Sequence, residues 1–576
     1  MDTPSPERFI VASPSNEGSR TTGNDLPDEV WRIIAHYASE GKSSREVAAS
    51  MSINRTFFNV VLSAKYGEIR WFRLDKRFIR VLERLQDPFI AGYVRNLVVR
   101  AWFIDYLFKR DKLFHSTNRR NDWQRAGIPI LSRFLQGLFQ PKAAEAFPAP
   151  GVAHKNFAVR KLMQVSSPKA VVKMLVQAVG GMKNVTQLTF EWRDLPVNEH
   201  TSSLLTAARS AFDTSLRKLV LRAEIPKFKE LLAITNSNSI MDLAVHFDYQ
   251  PSVQKRDRYM NKTEKEKETT VSKGSTKSSA ITSNDAAIVD LYNVVAPFIA
   301  RRRAHLHSLS ISSSATADLS QFFHALPALS TLRCFHVSIS FDKSILSDPT
   351  GLIRFLQNVK LTLSRVSFGV EWPESRNDTT GSSHVDSLRL KRANWAAFND
   401  HLLRAYDCVS SLESLHIPFI SVAKTLPIIQ RSCNTLRSLR LTGHFLSAEE
   451  IVALGGVFTH SPFELKHLHI EVAFLDFELV KSLASRFPGI DSLVLVYKTL
   501  DLPFDNPQFE HTDVPEWKLS DIHVYDAIWS DQNEYDEHGC PRRDVTFTGN
   551  GIENRFWLWI PSLRRAGPRR PNFASK

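Results

Sequence analysis

A six-residue phrase, apolar-x-x-Leu-x-apolar, recurs through most of the chain and restricts its fold more than any other feature. Clear copies are LRKLVL (216–221), LHSLSI (306–311), VDSLRL (385–390), LESLHI (412–417), LRSLRL (436–441), LKHLHI (465–470) and IDSLVL (490–495). Looser ones are VRNLVV (94–99), VTQLTF (185–190), IMDLAV (240–245), LSTLRC (329–334) and LSDIHV (519–524). One copy arises easily by chance, but from Val385 to Leu519 the copies begin 27, 24, 29, 25 and 29 residues apart. The closing Leu-x-apolar puts two side chains on one face of a short strand and the residue between them on the other. Helical patterns lie between the phrases. SAEEIVALGGVF has Ser447 and Glu450 at capping-box spacing and aligns Ile451, Leu454 and Phe458, and NWAAFNDHLLRAY aligns Trp395, Phe398, Leu402 and Tyr406. Strand plus helix in about 25 residues makes one coil of a stack. Right-handed crossovers keep the strands parallel, and each coil buries its apolar face only against its neighbours.

Phrase and spacing resemble those of irregular leucine-rich repeat proteins, over roughly Val94 to Val524. The expected fold class is α/β: a leucine-rich-repeat-like solenoid, parallel strands on one face and helices on the other, preceded by a small helical module. The family's usual Asn or Cys after the last apolar position is absent, as in LRLTGH and LHIEVA. Without that side-chain ladder, uneven curvature is expected. The residue between the last two apolar positions faces the concave surface, and strands about 4.8 Å apart align such residues in a column. From Val385 onward the column reads Arg389, His416, Arg440 and His469, then Val494 and His523, while earlier coils offer Thr189, Val220, Ala244 and Ser310. Stacked basic groups repel, so Arg389, His416, Arg440 and His469 are candidate substrate-binding residues for an acidic or phosphorylated segment.

The front of the chain is different. In NDLPDEVWRIIAHY (24–37), Pro27 suits a first helical turn, Asp28 and Glu29 complement the helix dipole, and Val30, Ile33, Ile34 and Tyr37 form an apolar stripe with Trp31 on its flank. SSREVAASMSINRTFFNVVLSAKYGEIRWFRL reads as two more short helices, with Val47, Met51, Phe57, Phe58, Val61 and Leu62 available for a shared core. Leu-Pro-x-Glu before an apolar helix, then VAASMSINRTFF, then Tyr66 and Trp71 near the exit, resembles the F-box. That resemblance implies docking on a Skp-type adaptor and, through it, on a cullin, with Leu26, Pro27, Val30, Trp31 and Ile34 in contact. The repeat domain would then hold a protein substrate. The implied function is the substrate-recognition subunit of an SCF-type ubiquitin ligase. The alternatives are a basic solenoid binding RNA or ribonucleoprotein, or a scaffold with no ubiquitin role.

Composition narrows the rest. With 576 residues, 43% of them apolar, the chain can bury a large core. A formal charge of +14 favours anionic partners, yet the basic residues are not interleaved with an aromatic platform, which disfavours nucleic acid. No apolar run reaches 18 residues and the start lacks a secretory h-region, so no membrane association is expected and the compartment read is cytoplasmic or nuclear. Cys334, Cys408, Cys433 and Cys540 form no C-x-x-C pair and are expected as reduced thiols. EGKSS (40–44) copies the end of a P-loop, but His36 replaces its first Gly and a helix precedes it. The pairs His305/His307 and His467/His469 supply two imidazoles each without a third ligand, and SDQNEYDEH lacks the Gly and final Glu of a calcium loop. The chain is therefore expected to be no enzyme and to carry no catalytic residues, metal or cofactor. The expected organisation is a disordered tail (1–23), an F-box-like module (24–72), a solenoid (73–526) with a disordered basic insertion (250–283), and a carboxy-terminal cap with a basic tail (527–576). In that cap the Asn550-Gly551 turn signal suggests a closing hairpin.

Overall fold

The computed structural model describes residues 27–39, 55–72, 76–100, 168–192, 199–233, 239–248, 288–315, 317–369, 383–405, 407–461, 464–500 and 517–526. The tail 1–23, Leu26, the EGKSS motif, Val47 and Met51, the insertion 250–283, the acidic run, Cys540 and the hairpin at Asn550-Gly551 lie outside the described residues. Contacts divide the chain into two compact units, one ending at Gly67 and the other beginning at Glu68. Among the described residues no helix is long and apolar enough to cross a membrane.

The larger unit is an α/β solenoid whose described residues form one parallel sheet of thirteen strands, hydrogen-bonded in chain order from β1 to β13. They are β1 (Glu68–Trp71), β2 (Asn96–Arg100), β3 (Gln187–Trp192), β4 (Lys218–Glu224), β5 (Asp242–Asp248), β6 (Ser308–Ser313), β7 (Cys334–Ile339), β8 (Arg365–Gly369), β9 (Ser414–Pro418), β10 (Ser438–Thr442), β11 (His467–Leu475), β12 (Ser492–Leu500) and β13 (Asp521–Asp526). Alternation along each strand sends one set of side chains inward, as Leu219, Leu221 and Ala223 do on β4 and Leu468, Ile470 and Val472 on β11. The other set is mostly half-buried or exposed, with Asp248, Ser338 and Val496 among the buried exceptions. Aromatic rings pack into the core behind the inward face. Phe341, Phe368, Trp395 and Phe398 form one such cluster, with ring centroids 4.7 to 5.6 Å apart in most of their pairs. The Trp395 indole N–H donates to the Pro418 carbonyl at 3.0 Å and Asn399 Nδ2 donates to the Lys424 carbonyl at 2.7 Å, tying that helix to the next coil.

The capping box expected at Ser447 is present: the Glu450 N–H reaches Ser447 Oγ, and Glu450 Oε2 accepts the Ser447 N–H at 2.9 Å. Ile451 and Leu454 are buried and Phe458 sits half-buried against Phe487. Two phrases depart from expectation. VDSLRL is helical, part of a helix from Ser383 to Arg404, because nothing between Val385 and Trp395 interrupts a helix and the strand slot is already taken by LSRVSF (363–368). LSTLRC is out of register by three residues: Leu309 pairs with Phe335, so the true copy is LRCFHV (332–337). Both copies put Phe or Val where the phrase asks for Leu. Tyr66 ends the second helix of the smaller unit, and Trp71 ends β1 with its ring fully buried edge-on to Phe78.

Although the family's ladder is missing, another holds the turns before the strands. A hydroxyl one residue ahead of the phrase donates to the carbonyl of the first apolar residue in the preceding coil: Ser215 to Val185 at 2.8 Å, Ser239 to Leu216 at 2.8 Å, Thr331 to Leu306 at 2.9 Å and Thr435 to Leu412 at 2.8 Å. Each bond crosses from one coil to the next, so the ladder contributes to register as well as to polar satisfaction. Replacing Thr435 with Val is expected to cost about 1 kcal/mol while Thr435→Ser stays near neutral. Truncating the buried Leu415 to Ala is expected to cost about 2–5 kcal/mol. Shifts in the urea unfolding midpoint check both values.

Candidate functional site

The smaller unit offers the first candidate surface. Its helix α1 (Asp28–Ser39) begins as expected at Pro27, whose carbonyl accepts the N–H groups of Val30 and Trp31 at 3.0 and 3.1 Å. Helix α2 (Arg55–Tyr66) packs against it. The inner face of α1 carries Ala35, 2% exposed, and Trp31, whose ring meets Phe57 edge-on with centroids 5.8 Å apart. The stripe Val30, Ile33, Ile34 and Tyr37 faces outward, with Ile33 57% and Tyr37 69% exposed, and Phe58 of α2 is exposed as well. Of the expected adaptor contacts, Pro27, Val30 and Ile34 are exposed, while Trp31 turns inward.

The second candidate is the sheet face opposite the buried one. Register aligns its middle row from Arg70 through Val98, Thr189, Val220, Ala244 and Ser310 to His336. It then runs through Ser367, His416, Arg440, His469 and Val494 to His523. His416, Arg440 and His469 thus stand on adjacent strands, as expected. Arg389 does not belong to the row, because it lies in the helix Ser383–Arg404; Ser367 occupies that coil's place. His336 and Ser367 escaped sequence reading because their phrases carry Phe335 and Val366 at the Leu position.

The two halves of this face handle charge differently. Toward the amino-terminal end, cations meet carboxylates: Arg100 Nε lies 2.8 Å from Glu191 Oε2, and Asp248 Oδ1 accepts from Arg222 Nε at 3.0 Å and lies 3.2 Å from His246 Nε2. His246 Nδ1 also meets Ser312 Oγ. Burial pushes the Asp248 carboxyl up, but the bond with His246 and the charge of Arg222 outweigh it and hold it below the usual range. Further along, imidazoles flank Arg440 on both adjacent strands. Burial, reinforced by the charge of Arg440, brings His336 down to about 4 and His469 down to about 3. His416 lies well below its ordinary value through burial, then Arg440, then the two other imidazoles.

These three rings are therefore neutral near pH 7, and Ser367 links two of them, His336 and His416, by hydrogen bonds. Ser367 Oγ lies 2.8 Å from His336 Nδ1 and 2.7 Å from His416 Nδ1, and His416 Nε2 lies 3.3 Å from Thr442 Oγ1. One hydroxyl proton serves one neutral ring, so Ser367 donates to one Nδ1 and accepts from the other, and the two rings hold opposite tautomers. Glu471 borders the site. Its Oε2 accepts the N–H of Gly443, whose φ of +78° is a left-handed turn conformation that favours glycine. Elsewhere, His307 Nδ1 donates to the His305 carbonyl at 2.7 Å, and His467 is exposed on the same strand face as half-buried His469. Among the described residues no group of three His, Cys, Asp or Glu is arranged to hold a metal, and Cys334, Cys408 and Cys433 are free thiols. Comparison of the chain with protein-family models and with curated protein sequences found no match.

Imidazoles whose folded pKa lies below the unfolded 6.5 make the unfolded chain the better proton binder in acid. Their contribution to stability is complete above pH 6.5 and is lost as pH falls through 6.5 toward about 4. Thermal melts between pH 7 and 5 are expected to show this loss, at about 1 kcal/mol per pH unit for each half-buried ring. A shallower decline is expected in His469→Gln.

Proposed function

We propose that this chain is the non-enzymatic substrate-recognition subunit of a cullin-RING ubiquitin ligase, acting in the cytoplasm or nucleus. In this reading the amino-terminal unit docks on a Skp-type adaptor, and the open sheet face of the solenoid holds a protein substrate. The observation that carries it is the outward apolar stripe of α1. A helix serving only its own cluster would bury Ile33 and Tyr37, whereas both are exposed beside Val30 and Ile34. Such a face on a short amphipathic helix suits the groove of a partner. The order of the two units along the chain, and the Leu26-Pro27 start of the helix, add the F-box resemblance to that support. A solenoid whose open sheet face carries the polar run from Ser310 to His469 provides the extended surface that a receptor needs.

The test is capture of adaptor and cullin from extract by the full chain, followed by substitution of exposed residues that the fold does not need. Val30→Asp with Ile34→Asp is expected to lower adaptor affinity at least tenfold and leave the melting temperature within a few degrees. Trp31→Ala is expected to lower the stability of the amino-terminal unit itself, because it removes the ring packed on Phe57. A chain that captures no adaptor, or a double variant that captures it as well as the parent, refutes the assignment.

A further inference from the structure

We infer that the run His336–Ser367–His416–Arg440–His469 binds the carboxylates of an acidic extended peptide and takes up protons as it does so. This rests on the reading above only in that the open face holds a protein ligand. It concerns which ligand chemistry the face selects and how pH controls it.

Geometry points to a row of anions rather than one. Five strands about 4.8 Å apart place the five side chains along about 19 Å, and an extended peptide lying along them presents a side chain on the same side every ~6.6 Å. About three alternate acidic residues therefore fall over the run. A single phosphoryl group would cover Arg440 and its nearest neighbours and leave His336 unmet, two strands beyond His416. The bordering strands contribute Ser310 and Val494, which are uncharged, so the basic centre has defined ends.

The cluster is also built to hold two protonation states. The other titratable or charged groups facing it from these strands, among the described residues, are Cys334, Arg365 and His467 on the amino-terminal side and Glu471 on the carboxy-terminal side. Burial raises the Cys334 thiol, which therefore stays neutral. Burial and Arg440 oppose protonation of the imidazoles, so the row carries little charge of its own beyond Arg440. Peptide carboxylates alongside reverse that balance by favouring the charged rings. Ser367 accommodates the change: its two lone pairs accept from both Nδ1–H groups once His336 and His416 are protonated, so no hydrogen bond is lost. Protonated His336 and His469 then offer a charge-assisted N–H to the ligand, while His416, whose two nitrogens face Ser367 and Thr442, contributes its charge.

Isothermal titration of the full chain, without adaptor, with a short synthetic peptide alternating aspartate and alanine tests this directly. Binding is expected to tighten as pH falls from 7.5 to 5.5, by up to about tenfold per pH unit for each proton taken up. Two buffers of different ionisation enthalpy are expected to give a net uptake of about one proton or more per peptide at pH 6.5. The aspartate side chains titrate below this window, so capture by Arg440 alone gives a flat profile and no uptake. Arg440→Gln is expected to weaken binding about tenfold or more at every pH. His416→Gln with His469→Gln is expected to flatten the profile and to lower the number of protons taken up. The wild-type proton count stands even where a variant folds poorly. A flat profile with no uptake, unchanged binding in Arg440→Gln, or binding of a phosphoserine peptide while the aspartate peptide stays silent overturns the inference. Because no adaptor is present, failure here is separate from failure of adaptor capture.

Discussion

The solenoid depends on the pairing of each strand with the same positions of the strand before it. No coil of this chain encloses a core by itself: the Leu and apolar residues that end one phrase are covered by the equivalent residues of the coils on either side. Parallel hydrogen bonds fix which positions those are, and the hydroxyls of Ser215, Ser239, Thr331 and Thr435 add a second link between successive coils just ahead of the strands. A slip of one residue anywhere would turn the Leu positions of that strand outward. The long helix Ser383–Arg404 between β8 and β9 leaves the register intact, since β8 pairs directly with β9.

The same register that buries one face organises the other. Because inward residues are locked in rows, the residues between them are also locked in rows, whatever their chemistry. The amino-terminal half settles its charges internally, with Arg100 on Glu191 and Arg222 on Asp248. The half around Arg440 places neutral imidazoles on the strands to either side, and burial and the cation hold these rings below their ordinary pKa. Two such solutions on one sheet make the face electrostatically uneven, and the unevenness distinguishes one stretch of it as a place for an acidic ligand.

Much of this was legible from residue order. The phrase marked ten of the thirteen strands in register, the capping box at Ser447 appears as written, and His416, Arg440 and His469 fall into one row because their spacing from the flanking Leu residues is constant. The errors share a cause. VDSLRL satisfies the phrase and is helical, while LRCFHV and LSRVSF violate it and are strands. Leu-x-Leu over three residues suits either a strand or a helix, and Phe335 or Val366 fills a core position as well as Leu does. A pattern that short cannot tell which competing segment takes the slot in the sheet.

The sequence by itself determined the repeating coil, the parallel class of the sheet, and an amino-terminal helix with one apolar stripe, because each of these is set by local periodicity. Only the tertiary structure decided that the stripe on α1 points outward while Trp31 points in, that Arg389 stands outside the row and His336 and Ser367 within it, and that two imidazoles flank one guanidinium with a third further along the same row. Those facts depend on which segments meet across 20 to 50 residues of chain. Burial and the field of Arg440, which set the protonation of those rings, exist only once the strands are side by side.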